Sequence, residues 1–205
     1  MRAELESVGQ IDRTPEARAA RIQSMLEEVR RMSALVDSLL LLSRSDDATI
    51  QIDRQAVNLG LMLASAAEDI RLLGESSALS VELSAPETIT VNADPARLRQ
   101  ILLNLIDNAV KFNRPNGQIR LSLETEPGRV CVTVGNTGPG LSEAHRARLF
   151  ERFFRGDPSR SRVVPGFGLG LALSRELARA HGGELEFAGS NADWTEFRLT
   201  LPTHP

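Results

Sequence analysis

The sequence has little cysteine, few aromatic residues and no long apolar run. Cys131 is the only cysteine among 205 residues, so the chain cannot form an internal disulfide. Because it lies in an alternating apolar run, we expect it to be a small buried residue. No apolar run approaches the roughly 18 residues of a membrane-spanning helix, and no signal-peptide pattern follows Met1. We therefore expect the chain as given to be cytoplasmic.

The sequence also lacks an excess of charge of one sign. Lysine and arginine number 24 against 27 aspartates and glutamates, for a formal charge of −3. A nucleic-acid-binding domain usually carries a strongly basic face, so we expect no nucleic-acid partner. With 41% hydrophobic and 25% charged residues, the composition is that of a globular chain with one or two small domains.

The first pattern present is a long amphipathic helix predicted from Thr14 to about Arg44. Thr14 is suited to cap it and Pro15 to occupy its first turn. Its apolar residues recur at near-heptad spacing, which requires a partner helix: Ile22, Met25, Leu26, Val29, Met32, Leu35, Val36, Leu39, Leu40 and Leu42. At about 1.5 Å per residue, the segment Met1–Gln10 is too short to cover this stripe. We expect the cover to come from residues outside this sequence or from another chain.

A polar linker at Ser45–Thr49 separates this helix from an alternation of strands and helices. The pattern predicts strands at Ile50–Val57, Leu79–Leu83, Ile89–Val91, Gln118–Thr125, Arg129–Gly135, Glu184–Ala188 and Thr195–Leu201. It predicts helices at Leu59–Leu73, from Asp94 and Pro95 to about Phe112, at Ser142–Phe150 and at Leu169–His181. A glycine- and charge-rich loop is expected at Arg155–Phe167.

Polar residues share one face of the predicted helix that follows Asp94. Asn104, Asn108 and Lys111 lie at positions i, i+4 and i+7, so the face offers two amide oxygens and one ammonium. A neutral amide oxygen suits Mg²⁺, and a lysine neutralises phosphate. A solvated polar face on an amphipathic helix is an equally good interpretation of this cluster alone.

Three further clusters follow along the chain. The run Gly135–Leu141 contains two glycines around a proline directly after a strand, which indicates either a ligand-contacting turn or an ordinary tight one. The run Leu149–Arg155 holds three phenylalanines, which suit a loop anchor or a core helix end. The run Gly166–Leu171 opens a helix with glycines, and free N–H groups there favour an anion. It is neither a Walker A loop nor a dinucleotide fingerprint.

In this order, the four clusters closely resemble the N, G1, F and G2 boxes of the GHKL superfamily, which unites histidine kinases, gyrase, Hsp90 and mismatch-repair ATPases. The F box and the run His181-Gly182-Gly183 resemble those of bacterial sensor histidine kinases. The resemblance covers about Ser24 to Pro202. It implies an α+β fold of the Bergerat type, an α/β sandwich with a mixed sheet and helices on one face, preceded by the long helix.

The resemblance implies a site for ATP and Mg²⁺. It makes Asn108 the Mg²⁺ ligand, places Asn104 near the metal and phosphates, and directs Lys111 and Arg155 to the phosphates. The catalytic residues would be Asn108, Lys111 and Arg155. The other nucleotide-binding residues come from the adenine turn, the F box, the glycines that lead from the lid into the helix, and a late Thr-x-Phe pattern: Asn136, Gly138, Gly140, Leu141, Phe153, Gly166, Gly168, Leu169, Gly170, Leu171 and Thr195.

The sequence departs from the family pattern at three places. Asn136 stands where an aspartate usually reads adenine; its amide oxygen can still accept from the adenine amino group, without charge. Asp193-Trp194 replaces the glycine before Thr195. The acceptor histidine is not found: His145, His181 and His204 all lie outside the long helix. We expect His181, at a helix C-terminus, to suit the helix dipole as a cation.

The resemblance implies two domains: residues 1–45, part of a dimerisation and phosphotransfer hairpin, mainly its second helix, and residues 50–205, the ATP-binding catalytic domain. The implied reaction transfers the γ-phosphoryl group of ATP to a histidine not present in this chain. The implied partners are a response-regulator receiver domain and the hairpin of the same kinase in a homodimer, with the parent protein anchored in the inner membrane. Two alternatives stay open: a GHKL ATPase or serine kinase of anti-sigma type, and a nucleotide-binding regulatory module without kinase activity.

Overall fold

A computed structural model describes residues 15–46, 50–74, 79–156 and 166–203. The chain divides into two compact units, Met1–Leu40 and Leu41–Pro205. Among the described helices, none is both long enough and apolar enough to cross a membrane.

The first unit contains most of helix α1, Pro15–Asp46. The predicted helix is therefore present, while its predicted cap, Thr14, lies outside the described residues. Large apolar side chains remain exposed along it, at Ile22, Leu26, Val29, Met32, Val36 and Leu40. An exposed stripe of this kind is typical of a helix whose partner lies elsewhere.

The second unit is built on a five-stranded mixed sheet and a two-stranded ribbon. The strands are β1 Gln55–Asn58, β2 Ser80–Ser84, β3 Thr90–Ala93, β4 Gln118–Glu126, β5 Arg129–Thr137, β6 Glu184–Ser190 and β7 Trp194–Pro202. The ribbon pairs β1 with β3, and the sheet has the order β2-β4-β5-β7-β6. Among the described strands, only β2 and β4 pair in parallel, which makes the sheet mixed as expected.

Helices cover one face of this sheet, as the resemblance implies. They are α2 Leu59–Gly74, α3 Pro95–Lys111, the short α4 Glu143–Arg146 and α5 Gly170–Ala180. The core forms where their apolar faces meet alternate residues of the central strands, including Leu98, Leu105, Val132, Leu177 and Leu199.

The start of α3 is fixed by Asp94. Its carboxylate accepts hydrogen bonds from the N–H groups of Ala96 (2.9 Å), Arg97 (3.0 Å) and Asp53 (3.2 Å). Burial by itself would raise the pKa of Asp94, but these N–H groups stabilise the carboxylate and the pKa is lowered. The predicted cap is therefore present, and it also holds the segment that leads into β1.

Two predicted elements are shorter in the structure. The strand predicted at Ile50–Val57 forms only at Gln55–Asn58, because the preceding segment is held through Asp53 and Asp94, which are not part of the ribbon pairing. The helix predicted at Ser142–Phe150 is regular only at Glu143–Arg146. Beyond it the chain continues in single turns, with bonds such as Glu151 N–H to the Arg148 carbonyl (3.0 Å).

Candidate nucleotide-binding site

The polar face predicted on α3 is present, and Asn108 is its most available member. Asn104, Asn108 and Lys111 are all partly exposed and follow one another along this face. Within the described residues, the Asn108 side chain makes no hydrogen bond, and no fully buried side-chain polar atom lacks a partner. The Asn108 amide therefore faces open space and can accept a ligand.

Asn104 joins α3 to the first turn of α5. Its Nδ2 donates to the Ser174 hydroxyl (3.0 Å) and to the Gly170 carbonyl (3.3 Å). Ser174 is fully buried, so this contact fixes the amide of Asn104 in the helix interface. The sequence prediction missed Ser174, because its contact with Asn104 spans 70 positions and no local pattern marks it.

Lys111 is held within its own helix. Its ammonium pairs with the carboxylate of Asp107, one turn earlier. The side chains are 26% and 56% exposed, so this i, i+4 pair contributes only about 0.2–0.5 kcal/mol and a phosphate could replace the carboxylate. The sequence prediction assigned Lys111 to phosphate but did not identify Asp107 as its competitor.

The N-terminus of α5 is open beside Asn104. No side chain caps it at Leu169, so the first N–H groups of α5 are not satisfied by a cap. Leu169 is buried and Leu171 half-buried, so any contact of Leu169 with a nucleotide would come from its backbone. An uncapped helix start with its positive dipole end is suited to an anion.

The loop predicted at Arg155–Phe167 begins and ends at a defined stem. Phe153 N–H donates to the Gly168 carbonyl (2.9 Å), which joins the two ends across residues 157–165, outside the described part of the chain. Both residues adopt left-handed backbone angles, φ +63° at Phe153 and +70° at Gly168. The Phe153 residue is 60% exposed. Arg155, near the last described residue before the gap, and Gly166, the first after it, are also exposed.

The predicted turn Gly138–Leu141 packs against two other segments. A Cβ at Gly138 would lie 2.4 Å from the Phe112 carbonyl oxygen, and one at Gly140 would lie 2.2 Å from that of Asn191. Neighbouring protein backbone thus requires both glycines, which favours the ordinary tight turn of the two interpretations that the sequence left open. The turn is thereby fixed against the C-terminal end of α3.

Asn136 and Thr195 face each other at the helix-covered side of the sheet. They are register partners on β5 and β7, and both are buried. The Thr195 hydroxyl lies 3.3 Å from that of Ser190, which accepts from Leu141 N–H (3.2 Å). Ser190, which the sequence prediction missed, therefore joins Thr195 to Leu141.

Trp194, in place of the family glycine, lies over Gly135 on the other side of the sheet. A Cβ at Gly135 would approach the indole to 2.7 Å. Trp194 Nε1 donates to Glu196 (2.6 Å), and the Arg120 guanidinium lies 5.2 Å from the ring centroid. The large indole is accommodated because Gly135, its diagonal neighbour on β5, has no side chain.

His181 differs from its prediction as a dipole-stabilised cation. It is 1% exposed; its Nδ1 lies 2.7 Å from the Leu177 carbonyl, and its Nε2 accepts from Asp94 N–H (3.1 Å). That pattern requires a neutral imidazole protonated on Nδ1. Burial lowers the pKa of His181, so the residue is a neutral bridge from α5 to the start of α3.

The contacts of Asn104 and of Gly138 place the start of α5 and the Gly138 turn at two points along α3. The α5 start lies at Asn104 and the Gly138 turn lies at Phe112, about 12 Å apart along α3. One end of this stretch of α3 offers N–H groups and amides, and the other offers the buried polar pair Asn136 and Thr195.

Comparison with known proteins agrees with this architecture. Residues 93–205 match the family described as histidine kinase-, DNA gyrase B- and HSP90-like ATPases, and the chain belongs to this family. Within it, the chain is 34% identical over 202 residues to the probable sensor histidine kinase TcrY of Mycobacterium tuberculosis, covering 98% of this chain and 42% of TcrY. The chain thus spans about two-fifths of the length of this curated relative.

Solved structures of histidine kinases share the fold. Full-length ShkA in complex with AMPPNP is 31% identical with a TM-score of 0.77, over 92% of this chain and 39% of ShkA. Histidine kinase ThkA in complex with the response regulator protein TrrA is 22% identical with a TM-score of 0.71, over 97% of this chain and 55% of that one. The resemblance to sensor histidine kinases and the expected fold class are therefore confirmed.

Proposed function

We propose that this chain is the ATP-binding catalytic part of a two-component sensor histidine kinase, and that it transfers the γ-phosphoryl group of ATP to a histidine outside these residues. The single observation that carries the proposal is the open edge of α3. There the unpaired amide of Asn108 lies between the uncapped start of α5 and the buried pair Asn136 and Thr195. The likeness to ShkA, whose structure contains AMPPNP, supports an adenine nucleotide at this edge.

The residues present fit a Mg²⁺ ion that is bound together with the nucleotide. Within the described residues, no group of three or more histidine, cysteine, aspartate or glutamate side chains could hold a metal by itself. Mg²⁺ commonly takes one or two protein oxygens and completes its shell with phosphates and water. Asn108 would supply the protein oxygen, and the ion would supply positive charge between the phosphates.

The protein's other groups would position and neutralise the phosphates. The N–H groups at the start of α5, with Gly166, Gly168 and Gly170 leading into it, would face phosphate oxygens. Lys111 would exchange Asp107 for phosphate, and Arg155 would approach the γ-phosphate. The imidazole nitrogen of the acceptor histidine attacks the γ-phosphorus, the bond between the γ-phosphorus and the bridging oxygen breaks, and ADP leaves. Catalysis therefore consists of alignment and charge stabilisation.

Helix α1 supports the proposed partners. We assign residues 1–45 to part of the dimerisation hairpin and residues 50–205 to the catalytic domain. The exposed apolar stripe of α1 would pack on the other helix of the hairpin in a homodimer. The structure of ThkA with TrrA supports a response-regulator receiver domain as the next acceptor, and similarity to sensor kinases supports an inner-membrane anchor in the parent protein.

A transfer assay tests the proposal. The full chain is incubated with γ-labelled ATP and Mg²⁺, alone and with a separate hairpin that carries the acceptor histidine. We expect acid-labile, base-stable label on the hairpin and none on the chain alone. The same assay with Asn108→Ala should lose the transfer. Label on His145 or His181 of the chain, or transfer that is unchanged in Asn108→Ala, contradicts the proposed assignment.

A further inference from the structure

The side-chain amide of Asn104 has a defined orientation between α3 and α5. Its Nδ2 lies 3.0 Å from the Ser174 hydroxyl oxygen and 3.3 Å from the Gly170 carbonyl oxygen. A carbonyl oxygen can only accept a hydrogen bond, so the amide atom beside it must be the nitrogen, which donates. The nitrogen end of this amide is therefore directed into α5.

Ser174 supplies the shorter of these two hydrogen bonds from inside the protein. It is fully buried and lies one turn after Gly170 on α5. If the amide turned over, Oδ1 would lie against the Gly170 carbonyl oxygen and the bond to that oxygen would be lost, which is costly where water cannot replace it. The two acceptors together therefore hold the amide in one orientation.

The oxygen end of the same amide is open. Within the described residues, Asn104 Oδ1 accepts no hydrogen bond, and no fully buried side-chain polar atom lacks a partner. Oδ1 therefore reaches accessible space. It lies beside the uncapped first residue of α5, because a Cβ on Gly170 would be 3.7 Å from it. The free group of Asn104 at the phosphate end of the proposed site is thus an acceptor.

We propose that Ser174 is a positioning residue, which holds the Asn104 amide so that Asn104 serves the hydrated Mg²⁺ ion and not the phosphates. The inference rests on the proposed nucleotide binding and deepens it. An amide oxygen repels a phosphate oxygen, since both are acceptors, but it can accept a hydrogen bond from a water that Mg²⁺ retains. Asn108 would hold the ion itself. Ser174 would therefore act only through Asn104, and only when Mg²⁺ is present.

The test is calorimetric titration of the full chain with ATP, once with Mg²⁺ and once with EDTA. In the wild type we expect Mg²⁺ to strengthen ATP binding. Ser174→Ala should reduce this enhancement by about two- to tenfold, the equivalent of one hydrogen bond. The affinity in EDTA should not fall, because the released amide can turn and donate to a phosphate. Cys131→Ala, a buried replacement on β5, is the control and should retain the wild-type enhancement.

A loss of affinity in Ser174→Ala that is equal with Mg²⁺ and with EDTA would show that the serine only supports packing, and it overturns the inference. An unchanged Mg²⁺ enhancement also overturns it. A double-mutant cycle tests the route: in the Asn104→Ala background, Ser174→Ala should cause no further loss of the enhancement. A further loss of the same size there would mean that Ser174 does not act through Asn104.

Melting curves check that each variant folds. If Ser174→Ala does not fold, Asn104→Ala decides alone: it should lose Mg²⁺ enhancement and keep its affinity in EDTA, whereas weaker binding in EDTA would make Asn104 a phosphate ligand and overturn the inference. A wild type that binds no adenine nucleotide refutes the proposed function and this inference together. The other contrary results refute only the inference.

Discussion

The polar residues on the exposed face of α3 differ in whether their side chains already have a hydrogen-bond or ion-pair partner within the protein. Asn104 is tied to Ser174, and Lys111 is paired with Asp107, whereas the Asn108 amide has no partner within the described residues. Residue types and spacing are enough to predict that these groups share a face. They are not enough to predict which are engaged, because Asn104 is tied by a contact 70 positions away.

Replacing Asp107 should release Lys111 for phosphate. We expect Asp107→Asn to strengthen ATP binding about twofold, because the exposed pair contributes about 0.2–0.5 kcal/mol and its carboxylate competes with the nucleotide. The measurement is the dissociation constant by calorimetry. The matched control is Asp69→Asn, which removes a carboxylate of α2 that pairs with Arg99 of α3 and should leave the affinity unchanged. Weaker binding in Asp107→Asn would show that Asp107 itself assists the nucleotide.

At the scale of elements, the loop stem depends on one glycine. Gly168 has φ +70°, and a Cβ there would lie 2.6 Å from the Phe154 carbonyl oxygen. Gly168→Ala should therefore destabilise the chain by about 1–3 kcal/mol, measured by urea unfolding. Gly189→Ala is the control, because a Cβ at Gly189 meets nothing within 4 Å. A Gly168→Ala variant as stable as the control would refute the stem.

The bridge between α5 and α3 should make stability depend on pH. Burial keeps His181 neutral in the folded chain and lowers its pKa below 6.5, so the unfolded chain takes up the proton first as pH falls. The stabilisation is complete above about pH 6.5 and decreases as pH falls towards the folded pKa. Urea unfolding between pH 7.5 and 5.5 should show a steeper loss in the wild type than in His181→Gln. Equal slopes would mean that His181 is not held neutral.

The elements also show where sequence patterns suffice. Helix α3 was predictable, because Asp94 and Pro95 mark its start and its apolar residues have helical spacing. Strands β4 and β5 were predictable from their alternating apolar residues. The strand predicted at Ile50–Val57 was too long, because Asp94, 41 positions from Asp53, holds the preceding segment. The protonation of His181 was missed for a related reason: its partner Asp94 lies 87 positions away in sequence.

At the scale of the whole molecule, the second unit places two different chemical environments at the two ends of one helix. The α5 start meets α3 at Asn104, and the Gly138 turn meets it at Phe112. A nucleotide lying along this edge would put its phosphates near helical N–H groups and its base near Asn136 and Thr195. The pair Asn136 and Thr195 forms because β5 and β7, the strands that carry them, are adjacent in the sheet.

The most direct test of the account is calorimetric titration of the full chain with ATP, with and without Mg²⁺, in the wild type, Asn108→Ala and Asn92→Ala. Asn92, exposed on β3, is the matched control, and its variant should behave as the wild type. The account predicts that Mg²⁺ strengthens ATP binding in the wild type and that Asn108→Ala abolishes this dependence. If Asn108 were only a solvated surface residue, its replacement would change stability by less than about 0.5 kcal/mol and leave binding unaltered. An equal Mg²⁺ dependence in the wild type and Asn108→Ala, or no ATP binding by the wild type at millimolar concentration, would contradict the account.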